Sequence, residues 1–150
     1  MEHYLLIRVL HALPGILLLL GVLAHAFMLW KAWRGGDKAV LQRKLQRTRT
    51  ISLPVFAVLA LSLPVTGWWM VNLVGWPLSQ LWLLLGSSLF AVLMIVGLLL
   101  FGRLGAWQAQ TDGAVPAKSL RFVVAYAALI VVLLVAVSYT HLTLPTTPYV

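Results

Sequence analysis

The chain has 150 residues, of which 62% are apolar and only 9% are charged. Soluble domains carry roughly 25% charged residues, so this composition excludes a water-soluble globule. The net charge of +8 comes from basic residues that lie between long apolar runs rather than on a polar surface, which indicates no nucleic-acid partner. The absence of cysteine excludes a disulfide framework, a thiol nucleophile and an iron–sulfur cluster.

Four apolar segments predict membrane-spanning helices, because about 20 mostly apolar residues are needed to cross the hydrocarbon layer. The first segment contains Arg8, His11 and His25, the second and third contain no charged residue, and the fourth is short for a span. The predicted helices cover residues 4–30, 51–74, 81–101 and 122–137. Continuous apolar runs favour helices over barrel strands. We therefore expect an all-α, polytopic membrane protein, a four-helix transmembrane bundle in one domain over residues 1–136.

The composition changes after Val137. The last 13 residues contain four threonines, as many as the preceding 137 residues together. Residues 137–147 resemble one reading frame of a transposase-end sequencing adapter. We therefore expect residues 137–150 to be a non-native tail and the fourth helix to be truncated, with a native polar tail as the alternative.

The loop charges predict how the chain is threaded through the membrane. Residues 31–50 contain seven basic residues and one aspartate, for +6, and residues 102–121 contain three basic residues and one aspartate, for +2. Short basic loops stay in the cytoplasm. We therefore expect both loops to face the cytoplasm of a bacterial inner membrane, with both termini outside. A secretory signal peptide cut after residues 24–26 is the alternative for the first segment.

The first basic loop contains a short amphipathic helix of its own. Gly35 and Gly36 can end the first span, Asp37 can cap the new helix, and Leu41 and Leu45 share a face. The basic residues around that face suit an interfacial helix that binds anionic lipid. The alternative is that the same charges only fix the topology.

His11 and Arg8 are the candidate cofactor-binding residues, because an ionisable group inside a bilayer is a functional hypothesis by default. At the depth of His11 we expect residues 64–67 of the second span and residues 87–88 of the third, which together form a small polar pocket. In this pocket His11 could ligate a cofactor metal, and Arg8 could pair with an anionic group such as a propionate. The alternative is a neutral histidine hydrogen-bonded to a serine or threonine of another helix.

His25 is the other histidine of the first span, and with Met28 one turn further on it could form a soft copper site. The alternative is an interfacial histidine in contact with headgroups. The two histidines are about 21 Å apart along the helix, so one metal ion cannot bind both. No catalytic residue is predicted, because the chain has no phosphate-binding loop, no HExxH motif and no carboxylate within a span. The prediction leans against an enzyme.

Several short motifs resemble one known family. They are the segment YLLIRVLH at residues 4–11, Gly21, Thr66–Gly67, Gly75–Trp76–Pro77 and Trp82–Leu83. In these motifs the chain resembles a bacterial integral-membrane family known as domain of unknown function 2269, over about residues 4–103.

A more remote likeness concerns His11. Its position early in the first helix is similar to that of a histidine in membrane-type protoporphyrinogen oxidases and copper-resistance D proteins, which are associated with heme or copper. The likeness implies a heme ligand at His11. The oxidase pattern also has a lysine in the third helix, and residues 81–101 contain none.

Three classes of function follow. The first is an integral inner-membrane protein of unknown biochemical role, with the lipid bilayer as its surroundings. The second is a heme- or copper-associated redox protein that uses His11. The third is a small transporter assembled as a homo-oligomer, for which the spans offer few polar side chains.

Overall fold

The computed structural model describes residues 2–109 and 117–142. These residues are helical except for the connections at 35–37 and 75–80. There is no strand in these two ranges. The helices are α1 (Glu2–Arg34), α2 (Lys38–Arg47), α3 (Leu53–Val74), α4 (Leu81–Ala109) and α5 (Ala117–Leu142), with a π-helical segment (Thr48–Ser52) between α2 and α3. Within these ranges, four helices are long and apolar enough to cross a membrane. The predicted all-α polytopic fold is therefore confirmed.

All four spans extend beyond the predicted apolar segments. α1 continues to Arg34, α4 continues to Ala109, and α5 covers residues 117–142 instead of 122–137. The second span is the C-terminal part of one helix over residues 38–74, which passes through α2, the π-helical segment and α3. Apolarity marks only the part of a helix that lies in hydrocarbon, whereas backbone hydrogen bonding continues into the polar flanks. The expected non-native tail falls partly within α5, and residues 143–150 lie outside the described residues.

The connection between α1 and α2 has the predicted chemistry. Gly36 adopts a φ of 76°, a left-handed conformation that glycine tolerates and other residues avoid. The Asp37 carboxylate then accepts hydrogen bonds from the backbone nitrogens of Ala39 at 3.0 Å and Val40 at 3.3 Å. This side chain caps the first turn of α2 and satisfies two of its amide groups.

The spans lie in the order α3, α1, α5, α4. α1 packs between α3 and α5, and α5 packs against α4, while α3 and α4 make little contact with each other. We call the end that carries α2 the basic end, formed by residues 31–50 and 102–109, and the end with the α3–α4 turn the opposite end. At the basic end α2 contacts both α1 and α4. The core is built from buried aliphatic residues of α1, α4 and α5, among them Leu18, Val22, Leu29, Leu93, Val96, Leu100, Val123, Ala127 and Ile130.

Gly21 leaves room for the Phe56 ring at the contact between α1 and α3. A Cβ at this position would lie 2.6 Å from Cε1 and Cζ of Phe56. Overpacking of this kind typically lowers stability by about 1–3 kcal/mol, and we expect Gly21→Ala to lower the free energy of unfolding by about that amount. Equilibrium unfolding in mixed micelles of a mild detergent and dodecyl sulfate measures it. Gly97→Ala is the matched control, because a Cβ there meets no atom within 4 Å. Equal stability of the two variants would contradict the tight contact.

Candidate functional site

His11 lies at the contact between α1 and α3, where its Nδ1 is 2.9 Å from Oγ1 of Thr66. The Thr66 hydroxyl is 2.7 Å from the backbone carbonyl of Ser62, which can only accept a hydrogen bond. The hydroxyl proton is therefore donated to that carbonyl, and the Nδ1–H of His11 donates to Thr66. This assignment places the lone pair of the neutral imidazole on Nε2.

Gly67 completes the surroundings of His11 on α3. A Cβ at Gly67 would lie 3.1 Å from Cε1 of the His11 ring, closer than most real Cβ contacts. The glycine therefore lets the imidazole lie directly against the backbone of α3. We call Thr66 and Gly67 the His11 seat. The sequence placed both residues at the depth of His11, and the structure brings them together there.

The other expected members of this pocket are not brought to His11. Ser87 and Ser88 are exposed on α4, which packs against α5 rather than α1, and the Ser88 hydroxyl donates to the carbonyl of Leu84 at 2.8 Å. Arg8 lies one turn before His11 and is exposed. Within the described part of the chain it makes no hydrogen bond or ion pair, so its role toward an anionic group stays a prediction.

His25 is hydrogen-bonded through both ring nitrogens. Nδ1 donates to the carbonyl of Gly21 at 2.8 Å, and Nε2 lies 2.8 Å from Oγ of Ser52. The edge of the ring also meets Phe56, with centroids 5.1 Å apart and an interplanar angle of 81°. A copper ion at this ring would have to replace one of these contacts. Across residues 2–109 and 117–142, no group of three or more metal-binding side chains forms.

Sequence reasoning did not identify Ser52 as the partner of His25. Ser52 is the last residue of the π-helical segment, and hydropathy marks it only as the start of an apolar run. Its alignment with His25 depends on how the wide turn of that segment orients the helix. The residue types gave no local signal of such a turn.

The basic face of α2 is a second candidate site. Leu41 and Leu45 are 3% and 1% exposed, so the predicted apolar stripe packs into the bundle. Lys38, Arg43 and Arg47 are exposed on the remaining surface of the helix. α2 therefore packs its apolar stripe against the bundle and leaves its basic side chains at the surface.

Polar side chains within the spans mostly bond to their own helices. The Asn72 amide donates to the carbonyl of Trp68 at 2.9 Å, and the Ser62 hydroxyl donates to the carbonyl of Leu59 at 2.6 Å. These contacts satisfy the polar groups locally. These contacts do not support the alternative that the protein is a transporter.

A double-mutant cycle with His11→Phe and Thr66→Val tests the bond between α1 and α3. Hydrogen bonds between membrane helices contribute about 0.6–2 kcal/mol, and we expect a coupling energy in that range. The measurement is again equilibrium unfolding in mixed micelles. Ser88→Ala, combined with His11→Phe, is the control and should give no coupling, because Ser88 bonds within α4. Additive effects of His11→Phe and Thr66→Val would show that the bond contributes nothing.

Comparison with known proteins places this chain in a family. No curated protein and no solved structure matches the chain. The profile of one family, described as "Predicted integral membrane protein (DUF2269)", matches residues 5–145. The match includes nearly all of the first of the four described helices that could span a membrane, and the whole of the other three. The chain belongs to the DUF2269 family of integral membrane proteins.

Proposed function

We propose that the protein lies in a bacterial inner membrane with its basic end in the cytoplasm, and that α2 binds anionic lipid headgroups there. The observation that carries this proposal is the division of α2 into two faces. Leu41 and Leu45 pack into the bundle, so α2 does not insert its apolar side into lipid. The basic side chains Lys38, Arg43 and Arg47 remain at the surface, where headgroup phosphates lie.

The distribution of charge between the two ends supports the same placement. The basic end carries the +6 segment of residues 31–50, whereas the turn over residues 75–80 has no charged residue. Short basic segments are retained in the cytoplasm. Anionic lipids of the cytoplasmic leaflet attract basic side chains near the surface by about 1 kcal/mol each.

Replacement of Lys38, Arg43 and Arg47 by glutamine tests the lipid proposal. We expect the preference of the protein for phosphatidylglycerol over phosphatidylcholine to fall about fivefold for each charge removed, which corresponds to about 1 kcal/mol per residue. Energy transfer from tryptophan to dansyl-labelled lipid in nanodiscs measures that preference. Arg8→Gln, an exposed basic residue at the opposite end, is the matched control. An unchanged preference in the triple variant would contradict lipid binding by α2.

The side of the membrane on which the basic end lies can be tested separately. Because the chain has no cysteine, Ala39→Cys and Ser79→Cys each introduce a single exposed thiol. A membrane-impermeant maleimide should label Ser79→Cys in intact spheroplasts and Ala39→Cys only after lysis. Labelling of Ala39→Cys in intact spheroplasts would reverse the proposed orientation.

We propose as a second function that His11 binds a heme. The Nδ1–H donates to Thr66, and an oriented hydrogen bond on one ring nitrogen is typical of metal-ligating histidines because it fixes the tautomer and the ring plane. Arg8, one turn away on α1, could bind a cofactor carboxylate. A bound heme would supply electron transfer, and the contribution of this chain would be to hold and orient the ligand.

The described residues leave no room for a heme on the α3 side of His11. Cε1 of the ring already lies against Gly67, so a macrocycle cannot enter between α1 and α3 at this level. The cofactor would have to lie away from α3. The lysine of the oxidase pattern has no counterpart in residues 81–101, so the proposal includes no oxidase activity.

A visible spectrum of the purified protein, recorded with and without added heme, tests this second function. We expect a Soret band that is lost in His11→Ala and weakened in Thr66→Val, because the valine removes the acceptor that orients the ring. His3→Ala changes an exposed histidine near the N-terminus and serves as the control. A protein that stays colourless with heme, or a band that survives His11→Ala, would rule out His11 as the ligand.

A further inference from the structure

Buried polar atoms without a partner are concentrated at one place in this protein. Among the described side chains, three buried atoms have no hydrogen bond, and these are Oγ1 of Thr48, Nε of Arg49 and Nε1 of Trp107. Thr48 and Arg49 lie in the π-helical segment, Trp107 lies near the end of α4, and these two elements contact each other. Native proteins satisfy most buried polar groups, and exceptions often mark a site for a ligand or an ion.

Arg49 is held at this contact mainly by packing against Phe101 and Gly105. Its Cζ lies 4.8 Å from the centroid of the Phe101 ring. A Cβ on Gly105 would lie 3.0 Å from the same carbon, tighter than most real Cβ contacts, so the glycine lets the guanidinium approach α4 closely. Among the described residues its one hydrogen-bond contact, from Nη1 to Oε1 of Gln108, is long at 3.5 Å. The guanidinium is therefore well positioned while most of its donors are weakly used.

No carboxylate in the described ranges neutralises this cation. Glu2 lies in the first turn of α1 at the opposite end, and Asp37 is occupied in capping α2. Arg49 is half-buried, and a partly desolvated charge that meets no counter-charge among the described residues is unfavourable. An anion at this place would supply a counter-charge and accept hydrogen bonds from the fork of the guanidinium.

We propose that Arg49, positioned by Phe101 and Gly105 and contacted by Gln108, binds a phosphate group at the membrane boundary. The depth supports this ligand, because Ile51 begins the uncharged part of the second span two residues later. Gln42 fixes the same corner by donating to the carbonyl of Gln108 at 3.2 Å, which holds α2 to α4. The inference rests on the same placement of the basic end near headgroups as the proposed function, and it adds one defined site to a diffuse basic surface.

The phosphate could belong to a lipid headgroup or to a free anion from solution. Phe101 is 41% exposed, and an exposed aromatic residue on a spanning helix faces lipid. The guanidinium stacked on it therefore lies beside the lipid-facing surface, which favours a phospholipid. Arginine suits this role better than lysine, because its planar group can stack on a ring and bind two phosphate oxygens together.

Native mass spectrometry of the full chain in a mild detergent tests the site, with dioleoyl phosphatidylglycerol, dioleoyl phosphatidylcholine and inorganic phosphate as probes. We expect the protein to retain one phosphatidylglycerol, and Arg49→Gln to weaken this binding at least tenfold. Arg49→Lys keeps the charge but loses the planar fork, and Gly105→Ala keeps the arginine but displaces it. Both should also weaken binding. Millimolar inorganic phosphate that displaces the lipid would identify the free anion as the ligand, and failure to displace it would identify the lipid.

Arg103→Gln is the matched control for Arg49→Gln. Arg103 is also an arginine at the basic end stacked on an aromatic ring, with its Cζ 4.4 Å from the centroid of Phe122, but it is exposed. It should change phosphatidylglycerol binding less than twofold. Equal losses of phosphatidylglycerol binding in Arg49→Gln and Arg103→Gln would overturn the site. If Arg49→Gln does not fold, unchanged binding in Arg49→Lys and Gly105→Ala would overturn it.

The α2 variants separate this inference from the proposed function. If the glutamine substitutions at Lys38, Arg43 and Arg47 leave the lipid preference in nanodiscs unchanged, the proposed function of α2 fails. Retention of one phosphatidylglycerol that depends on Arg49 would still support the defined site. If the α2 variants behave as expected and Arg49→Gln retains its lipid, the defined site fails and the diffuse surface remains.

Discussion

Two histidines of α1 hydrogen-bond to α3 and to the π-helical segment that leads into it. Hydrocarbon gives two apolar helices no hydrophobic reason to pack, so membrane helices associate through close contact and polar bonds. His11 bonds to Thr66 toward the opposite end, and His25 bonds to Ser52 toward the basic end. Since the two bonds are about 21 Å apart along α1, they fix the angle between the helices as well as their distance.

Close packing between α1 and α3 accompanies both bonds, and the helix that contributes the ring differs between the two places. Toward the opposite end His11 of α1 lies against Gly67 of α3, and toward the basic end Phe56 of α3 lies against Gly21 of α1. Each helix therefore contributes one glycine that receives a ring from its neighbour. Small residues are typical of membrane helix contacts because they let backbones approach. This reciprocal arrangement explains how α3 is held with only two buried residues of its own.

The same bonds give the two histidines different chemical capacities. His25 uses Nδ1 on Gly21 and Nε2 on Ser52, so a metal there would displace a contact that holds α1 to α3. His11 commits Nδ1 to Thr66, and the proposed heme site uses the ring orientation that this bond sets.

Properties that depend on composition or on local chemistry could be predicted from the sequence. The four spans follow from apolar length, and the cap at Asp37 and the buried pair Leu41 and Leu45 follow from residue type and spacing. Thr66 and Gly67 were placed beside His11 because antiparallel helices of known length determine depth. Neighbour order could not be predicted, since lipid-facing and protein-facing surfaces are equally apolar. For this reason Ser87 and Ser88, at the right depth on α4, were wrongly expected beside α1.

The π-helical segment contacts two different helices of the bundle. Ser52 contacts α1 through His25, whereas Arg49, three residues earlier, lies on α4 against Gly105. On an α-helix, residues three apart point in similar directions and would meet the same neighbour. A π-helix turns less per residue, so the same two positions diverge further around the axis and reach two different helices. One wide turn therefore holds α3 to α1 and places a cation on α4. Restoring regular α-helical geometry there would sacrifice one of the two contacts.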